Sequence, residues 1–274
     1  MARKLSIWGD KQMARIGLIG CGSIGTTITE AVAKGVIPSI EEIIAYDAIP
    51  RKCQELQEKY GELVKCVKSV EEIIKARPRL IVEAASQEAV RQYGQTVLEA
   101  GIDFMIMSVG ALLDDDLRNS LVETAIKNNA RIYVPTGAIA GLDAIRAARI
   151  AGIRKAELIT RKPPRALGLK NIREPKTLYN GEAKKAVKEY PKNVNVSATL
   201  SLAAGIEAKV KVVADPRIER NTHEIIVESE ATRIHIIVEN KPSPTNPRTS
   251  YLASLSAIEL LRRILQDRGL IIGS

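Results

Sequence analysis

The sequence predicts an α/β fold: a doubly wound parallel sheet followed by a second α+β domain with a mostly antiparallel sheet. Three observations carry this. Over positions 14–143, short β-branched runs alternate with amphipathic stretches; beyond 144, strand-like runs follow one another; and a glycine-rich turn stands directly behind the first strand. At 274 residues the chain is long enough for two domains of ordinary size.

In the first region the runs at 15–19, 42–46, 80–83, 104–107 and 131–134 read as strands. Helical candidates at 24–34, 51–59, 70–75, 89–100 and 114–128 separate them. Strands joined by helices of this length imply right-handed crossovers and a parallel sheet buried on both faces. A connecting helix is expected at 144–151. The second region opens with a strand at 157–160 and a loop at 162–180 rich in Pro, Gly and basic residues. A helix at 197–204, stopped by Gly205, precedes strands at 207–214, 222–228 and 232–239. Consecutive strands favour antiparallel pairing. Three prolines in 241–248 resist both helix and strand. A strong helix follows at 250–266, with Leu252, Leu255, Ile258, Leu261 and Ile264 on one face.

Composition narrows the function classes. Apolar residues make up 45% and charged residues 27%, a globular balance. No stretch approaches the roughly 20 apolar residues of a membrane helix, so no membrane association is expected. Segment 1–11 lacks a signal-peptide apolar core and carries Asp10, which argues against a transit peptide; it reads as a start-site extension or a frayed end. Cys21, Cys53 and Cys66 are odd in number and match no metal-ligand spacing, so no metal is expected and a reducing cytoplasmic location fits best. The net charge of +9 is spread among acids, and aromatics are only 3%, too few for a base-stacking surface. That argues against nucleic acid and leaves a solvated basic surface suited to anionic cofactors and substrates. Abundant Ile, Glu, Lys and Arg hint at a thermophile.

The sharpest local signal is Gly20-Cys21-Gly22-Ser23-Ile24-Gly25, between the first strand and the helix it opens. The first glycine permits a tight turn, the second lets backbone approach a pyrophosphate, and the third packs helix on strand. The helix N-terminus offers free N–H groups to phosphate. The next strand ends at Asp47, about 20 residues further on, where an acid grasps the adenosine ribose. This is a Rossmann-type dinucleotide site for NAD or NADP. Asp47 favours NAD by repelling a 2′-phosphate, and Arg51 and Lys52 soften that preference.

Proton exchange near neutral pH suits histidine, and the chain has two. Alternation places His235 with Arg233 and Glu239, facing solvent, and His223 with Ile225 and Val227, on the covered face. His223 is either a satisfied core residue or a catalytic one. Asn193 and Asn195 pose a similar choice between a helix N-cap and a holder of a carboxamide or carboxylate.

Here the chain resembles the L-aspartate dehydrogenase family along nearly its whole length. The likeness runs through the fingerprint, Glu83-Ala84-Ala85-Ser86, Ser108-Val109-Gly110-Ala111-Leu112, segment 136–143, Thr160-Arg161-Lys162-Pro163-Pro164, Asn193-Val194-Asn195-Val196, segment 220–225 and segment 239–250. The last three together are far more specific than the fingerprint. The resemblance implies a homodimeric two-domain enzyme. Its dinucleotide-binding domain, 14–143, is completed by 246–274, and 144–245 serves substrate binding, catalysis and dimerisation. It implies oxidation of L-aspartate with NAD or NADP, through iminoaspartate, to oxaloacetate and ammonia, with the imine able instead to feed quinolinate and NAD synthesis. It places the active-site histidine at His223 and cofactor contacts at Ala138 and one of Asn193 and Asn195, with Ala85 and Ser86 beside the same site. Ala140 stands where the family has glycine. A dianionic substrate needs cationic partners, and Arg161, Lys162 and Arg248 are the candidates. The rival expectations are a homoserine dehydrogenase, a dihydrodipicolinate reductase, or a non-catalytic dinucleotide sensor.

Overall fold

The structure is a computed structural model that describes residues 13–189, 195–244 and 246–266, without the side chains of residues 188, 247 and 248. Its first half runs β1 (Ala14–Ile19), α1 (Ser23–Ala33), β2 (Ile40–Tyr46), α2 (Pro50–Tyr60), β3 (Val64–Cys66), α3 (Val70–Lys75), β4 (Leu80–Glu83), α4 (Gln87–Glu99), β5 (Asp103–Ile106), α5 (Asp115–Lys127) and β6 (Ile132–Tyr133). The strands form one parallel sheet in the order β3-β2-β1-β4-β5-β6. Side chains leave a strand on alternate faces, and both faces here are apolar. Ile16, Leu18, Leu80, Val82 and Met105 enter one core layer, while Ile19, Ile81, Phe104 and Ile106 enter the other. The helices are started by ordinary chemistry: Ser86 Oγ accepts the Ala89 N–H at 3.2 Å to cap α4, and Asp114 Oδ1 accepts the Leu117 N–H at 3.2 Å to cap α5. Pro50 opens α2, where its missing N–H costs nothing.

The second half runs α6 (Leu142–Ile150), β7 (Ile153–Lys162), β8 (Lys176–Glu182), α7 (Ala183–Glu189), α8 (Asn195–Ala204), β9 (Lys209–Ala214), β10 (Asn221–Ser229), β11 (Arg233–Asn240), β12 (Pro242–Ser243), β13 (Asn246–Ser250) and α9 (Tyr251–Gln266). Five strands form a sheet in the order β11-β10-β7-β9-β8, antiparallel except for the β7–β9 pair. Ala156, Leu158, Ile225 and Val227 from one face pack with Ile145 of α6 and Leu200 and Ala204 of α8. The chain then returns: Ala257, Ile258 and Leu261 of α9 join the core layer of β1 and α1. No helix among the described residues is long and apolar enough to cross a membrane.

The sequence-based expectation misses β3, β8 and α7, all short. Thr177-Leu178-Tyr179 lies between Pro175 and Gly181, and its strand exists because it pairs with β9, a tertiary contact that overrides local signals. The segment expected to resist regular structure forms the small β12–β13 ladder instead, in which Pro242 takes the first position of a strand that a proline tolerates. The cysteines also need correcting. The odd count conceals a pair: Cys53 on α2 and Cys66 on β3 are joined by a disulfide. Cys21 is buried, and burial, then the charge of Asp47, pushes its thiol up to about 12, so it is inert.

The disulfide staples the helix that follows Asp47 to the sheet edge. Closing a loop with a sequence separation of 13 should stabilise the fold by roughly 3 kcal/mol. Cys66→Ser should therefore lower the melting temperature by several degrees, and a reductant should lower that of the parent protein but not of the variant. Equal melting with and without reductant would show that the two thiols are not joined.

Candidate active site

The glycine-rich turn lies at the C-terminal edge of the parallel sheet, where β1 is flanked by β2 and β4 and the strand order reverses. Gly20 has φ +101°, and a Cβ there would stand 2.8 Å from the Ala84 carbonyl. A Cβ on Gly25 would stand 2.2 Å from the Gly20 oxygen, so α1 can start this close to β1 only with glycine at both positions. Gly22, by contrast, faces open space, and α1 begins without a side-chain cap. A helix start of this kind turns its positive dipole end toward an anion in the turn. Asp47 stands beside the turn: one carboxylate oxygen accepts the Cys21 N–H at 2.8 Å and the other the Ile49 N–H at 2.8 Å. Arg51 is turned to its own helix by Glu55 at 3.1 Å and Glu58 at 3.2 Å. An open glycine cradle, uncapped amides and a carboxylate at the end of β2 fit the phosphates and ribose of a dinucleotide.

A cleft opens between the two sheets, lined by Ile24, Val109, Ala138, Lys162, Asn195 and His223 among others. The strand register explains the company. His223 on β10 lies opposite Thr160 on β7, and Thr222 opposite Arg161. Cross-strand partners share a face, as do residues two apart, so Thr160, Lys162 and His223 face one way and Arg161 the other. Lys162 lines the cleft; Arg161 is 3.7 Å from Asp215 and does not.

His223 is 2% exposed, and its Nδ1 is 3.0 Å from the Thr160 hydroxyl. Burial, and then the charge of Lys162, pushes the imidazole down to about 3, which keeps it neutral. Burial likewise lowers Lys162 to about 8. Lys162 is the only charged side chain among the described residues lining the cleft. His235 is solvent-facing, its Nε2 3.0 Å from Glu224.

The opposite wall is pinned from three elements. The Ala138 carbonyl accepts the Asn240 side-chain N–H at 3.0 Å, and Ser256 Oγ of α9 accepts the Gly137 N–H at 3.0 Å. Asn195 Oδ1 accepts the Gly110 N–H at 3.1 Å, which links α8 to the turn after β5. Ala85 and Ser86 are exposed at the edge of the parallel sheet beside Gly20. Ser23 Oγ is 3.3 Å from Ser243 Oγ, a bridge from the fingerprint to β12. Asn193 and the Arg248 side chain lie outside the described residues.

Sequence reasoning singled out no role for Thr160, Asn240, Ser256 or Glu83. All but Ser256 fall in the segments that carry the family resemblance, but only strand pairing and the return of α9 show what they touch.

Comparison with known proteins accords with this geometry. Residues 20–135 match the family described as homoserine dehydrogenase, NAD binding domain, and residues 143–264 the family described as aspartate dehydrogenase, C-terminal. An L-aspartate dehydrogenase of Methanosarcina barkeri is 46% identical over 92% of this chain and 97% of its own length; one of Methanocaldococcus jannaschii is 41% identical over 93% and 98%. The crystal structure of aspartate dehydrogenase from Thermotoga maritima superposes with a TM-score of 0.77 at 28% identity, covering 95% of this chain and 99% of that one. GenD2 from gentamicin A biosynthesis, solved with NAD, shares the fold alone, at 11% identity and a TM-score of 0.57. On identity and coverage together, the chain belongs to the L-aspartate dehydrogenase family.

Proposed function

We propose that this protein oxidises L-aspartate with NAD or NADP, through iminoaspartate, to oxaloacetate and ammonia. The observation that carries the proposal is the convergence of a neutral imidazole, a buried ammonium and Asn195 on one cleft beside the dinucleotide turn.

Gly20, Gly22, Ser23, Ile24 and Gly25 would hold the pyrophosphate, Asp47 the adenosine ribose, Ala85 and Ser86 the sheet edge beside it, and Ala138 with Asn195 or Asn193 the nicotinamide end. Asp47, with Arg51 engaged by Glu55 and Glu58, favours NAD. When bound, the nicotinamide supplies the acceptor for the hydride that leaves the α-carbon.

The chain's own residues do the rest. Lys162 is a buried cation on the cleft wall, placed to meet a substrate carboxylate. His223 enters as a base. Thr160 engages Nδ1, which leaves Nε2 to meet the substrate. Loss of hydride from the α-carbon of the free amine gives the protonated imine. Nε2 then takes a proton from the water whose oxygen attacks the imine carbon and returns it to the nitrogen, and it takes the remaining hydroxyl proton as the C–N bond breaks, leaving the ketone and ammonia. The approach of a dianion raises the imidazole pKa toward the range this exchange needs. Arg161, turned to Asp215, is a structural cation in this scheme, and Arg248 remains a second candidate for the substrate. Family membership supports a cytoplasmic homodimer whose imine can instead feed quinolinate and NAD synthesis.

The direct test is aspartate-dependent formation of reduced nicotinamide, with homoserine and dihydrodipicolinate as controls. Binding of reduced cofactor without turnover of aspartate would leave a dinucleotide sensor. His223→Ala should lower turnover by about 10²–10⁴ with cofactor affinity retained; a loss below about tenfold would remove His223 from proton transfer.

The lysine gives a pH signature. Its pKa of about 8 means that the empty cleft carries the ammonium below that pH and loses it above. Inhibition by succinate, a dicarboxylate with no amine of its own to titrate, should weaken by about tenfold per pH unit above about 8, and Lys162→Met should abolish that slope. A flat profile from about pH 7 to about pH 10 would exclude Lys162 from the carboxylate site.

A further inference from the structure

Glu83 ends β4 with 0% exposure, and all its hydrogen bonds come from neutral donors. Its Oε1 accepts the Ala85 N–H at 2.8 Å, the Ser86 N–H at 2.9 Å and the Ser108 hydroxyl at 2.8 Å; its Oε2 accepts the Ser108 N–H at 2.9 Å. Burial pushes the carboxyl group up, and the four donated bonds work against that push. Three of the donors are backbone N–H groups, which cannot accept. A carboxylate satisfies them all, whereas a carboxamide must set its own N–H against at least one.

This carboxyl group ties the turn after β4 to the turn after β5. From Ser108 the chain enters a short 3₁₀ segment, Val109–Leu113, whose Val109 lines the cleft and whose Gly110 is bonded to Asn195. The segment has no slack: a Cβ on Gly110 would stand 2.5 Å from Gln87 Nε2 and 3.0 Å from Val187 Cγ1. A shift at Ser108 is therefore passed to Val109 and Asn195. The adenosine end is held more by its own backbone. Gly20 rests on the backbone of Ala84 and Ala85; Ala84 is fixed by its own N–H to the Ile19 carbonyl at 2.8 Å, and the Glu83 side chain reaches this end through the Ala85 and Ser86 N–H groups.

We infer that Glu83 is the positioning residue of the nicotinamide half of the dinucleotide site. Its carboxyl group sets segment 108–110, and through it the cleft wall that receives the ring, while the phosphate and ribose end, built on Gly20, Gly25 and the Ala84–Ile19 bond, depends on it far less. This deepens the dinucleotide reading above and rests on it.

Calorimetric titration of Glu83→Gln with NADH and with ADP-ribose, which lacks the nicotinamide, separates the two halves. The expected result is NADH affinity weakened roughly tenfold or more, as befits an unsatisfied buried donor, with ADP-ribose affinity within about twofold of the parent protein. Unchanged NADH affinity, or equal loss of both ligands, overturns the inference. Should the glutamine variant not fold, Ser108→Ala removes one donor, and it must give the same split at about threefold; an equal or absent effect again overturns it. A parent protein that binds neither ligand would instead defeat the dinucleotide reading itself.

Discussion

Antiparallel pairing of β7 with β10 is the constraint on which the cleft depends. A strand's side chains alternate with a period of two, so one step of register exchanges the whole set that faces the site. In the register adopted, His223 lies across from Thr160, with Lys162 on the same face and Arg161 and Thr222 on the other. The register is held by apolar side chains on that same buried face: Ile225 and Val227 of β10 meet Leu158 and Ala156 of β7 over α8. Burying those four residues and exposing His223 and Lys162 to the cleft are thus one structural decision, and the chemistry is placed by the packing.

Burial also sets the electrostatics. An ammonium and an imidazole share a poorly solvated wall, and the cheapest arrangement is one charge rather than two. The imidazole gives up its proton and the lysine keeps most of its own below about pH 8. An ammonium on the cleft wall suits an anionic ligand. The neutral histidine is left able to accept a proton.

Legibility in the sequence follows how local each feature is. The parallel sheet could be read because its strands are continuous apolar runs and its helices carry ordinary start signals; α3 is placed at the same residues by pattern and by structure. Thr177-Leu178-Tyr179 could not, since a short strand beside a proline and a glycine exists only by pairing with β9. The site divides in the same way. The glycine turn and Asp47 are consecutive features of one β-α-β unit, and His223 was confined to the covered face by alternation alone. That Lys162 and not Arg161 reaches the cleft depends on pairing with a strand about 60 residues away, and no pattern within 157–162 decides it. The disulfide was hidden for a related reason: Cys53 and Cys66 meet only because α2 packs back on the sheet edge.

The two halves of the chain also differ in what they say about chemistry. The parallel sheet and its turn would serve many dehydrogenases, and accordingly residues 20–135 match a domain described for homoserine dehydrogenase. Specific chemistry enters where the second sheet brings Lys162 and His223 over that turn, and the two halves are joined there by hydrogen bonds from side chains to backbone. Asn240 holds Ala138, Ser256 holds Gly137, and Asn195 holds Gly110. Each runs from the second half or the returning helix α9 to a loop of the first. A neutral amide or hydroxyl bonded to a backbone group fixes position without adding charge, so the cleft can be aligned while Lys162 remains the only charged group among its described lining residues.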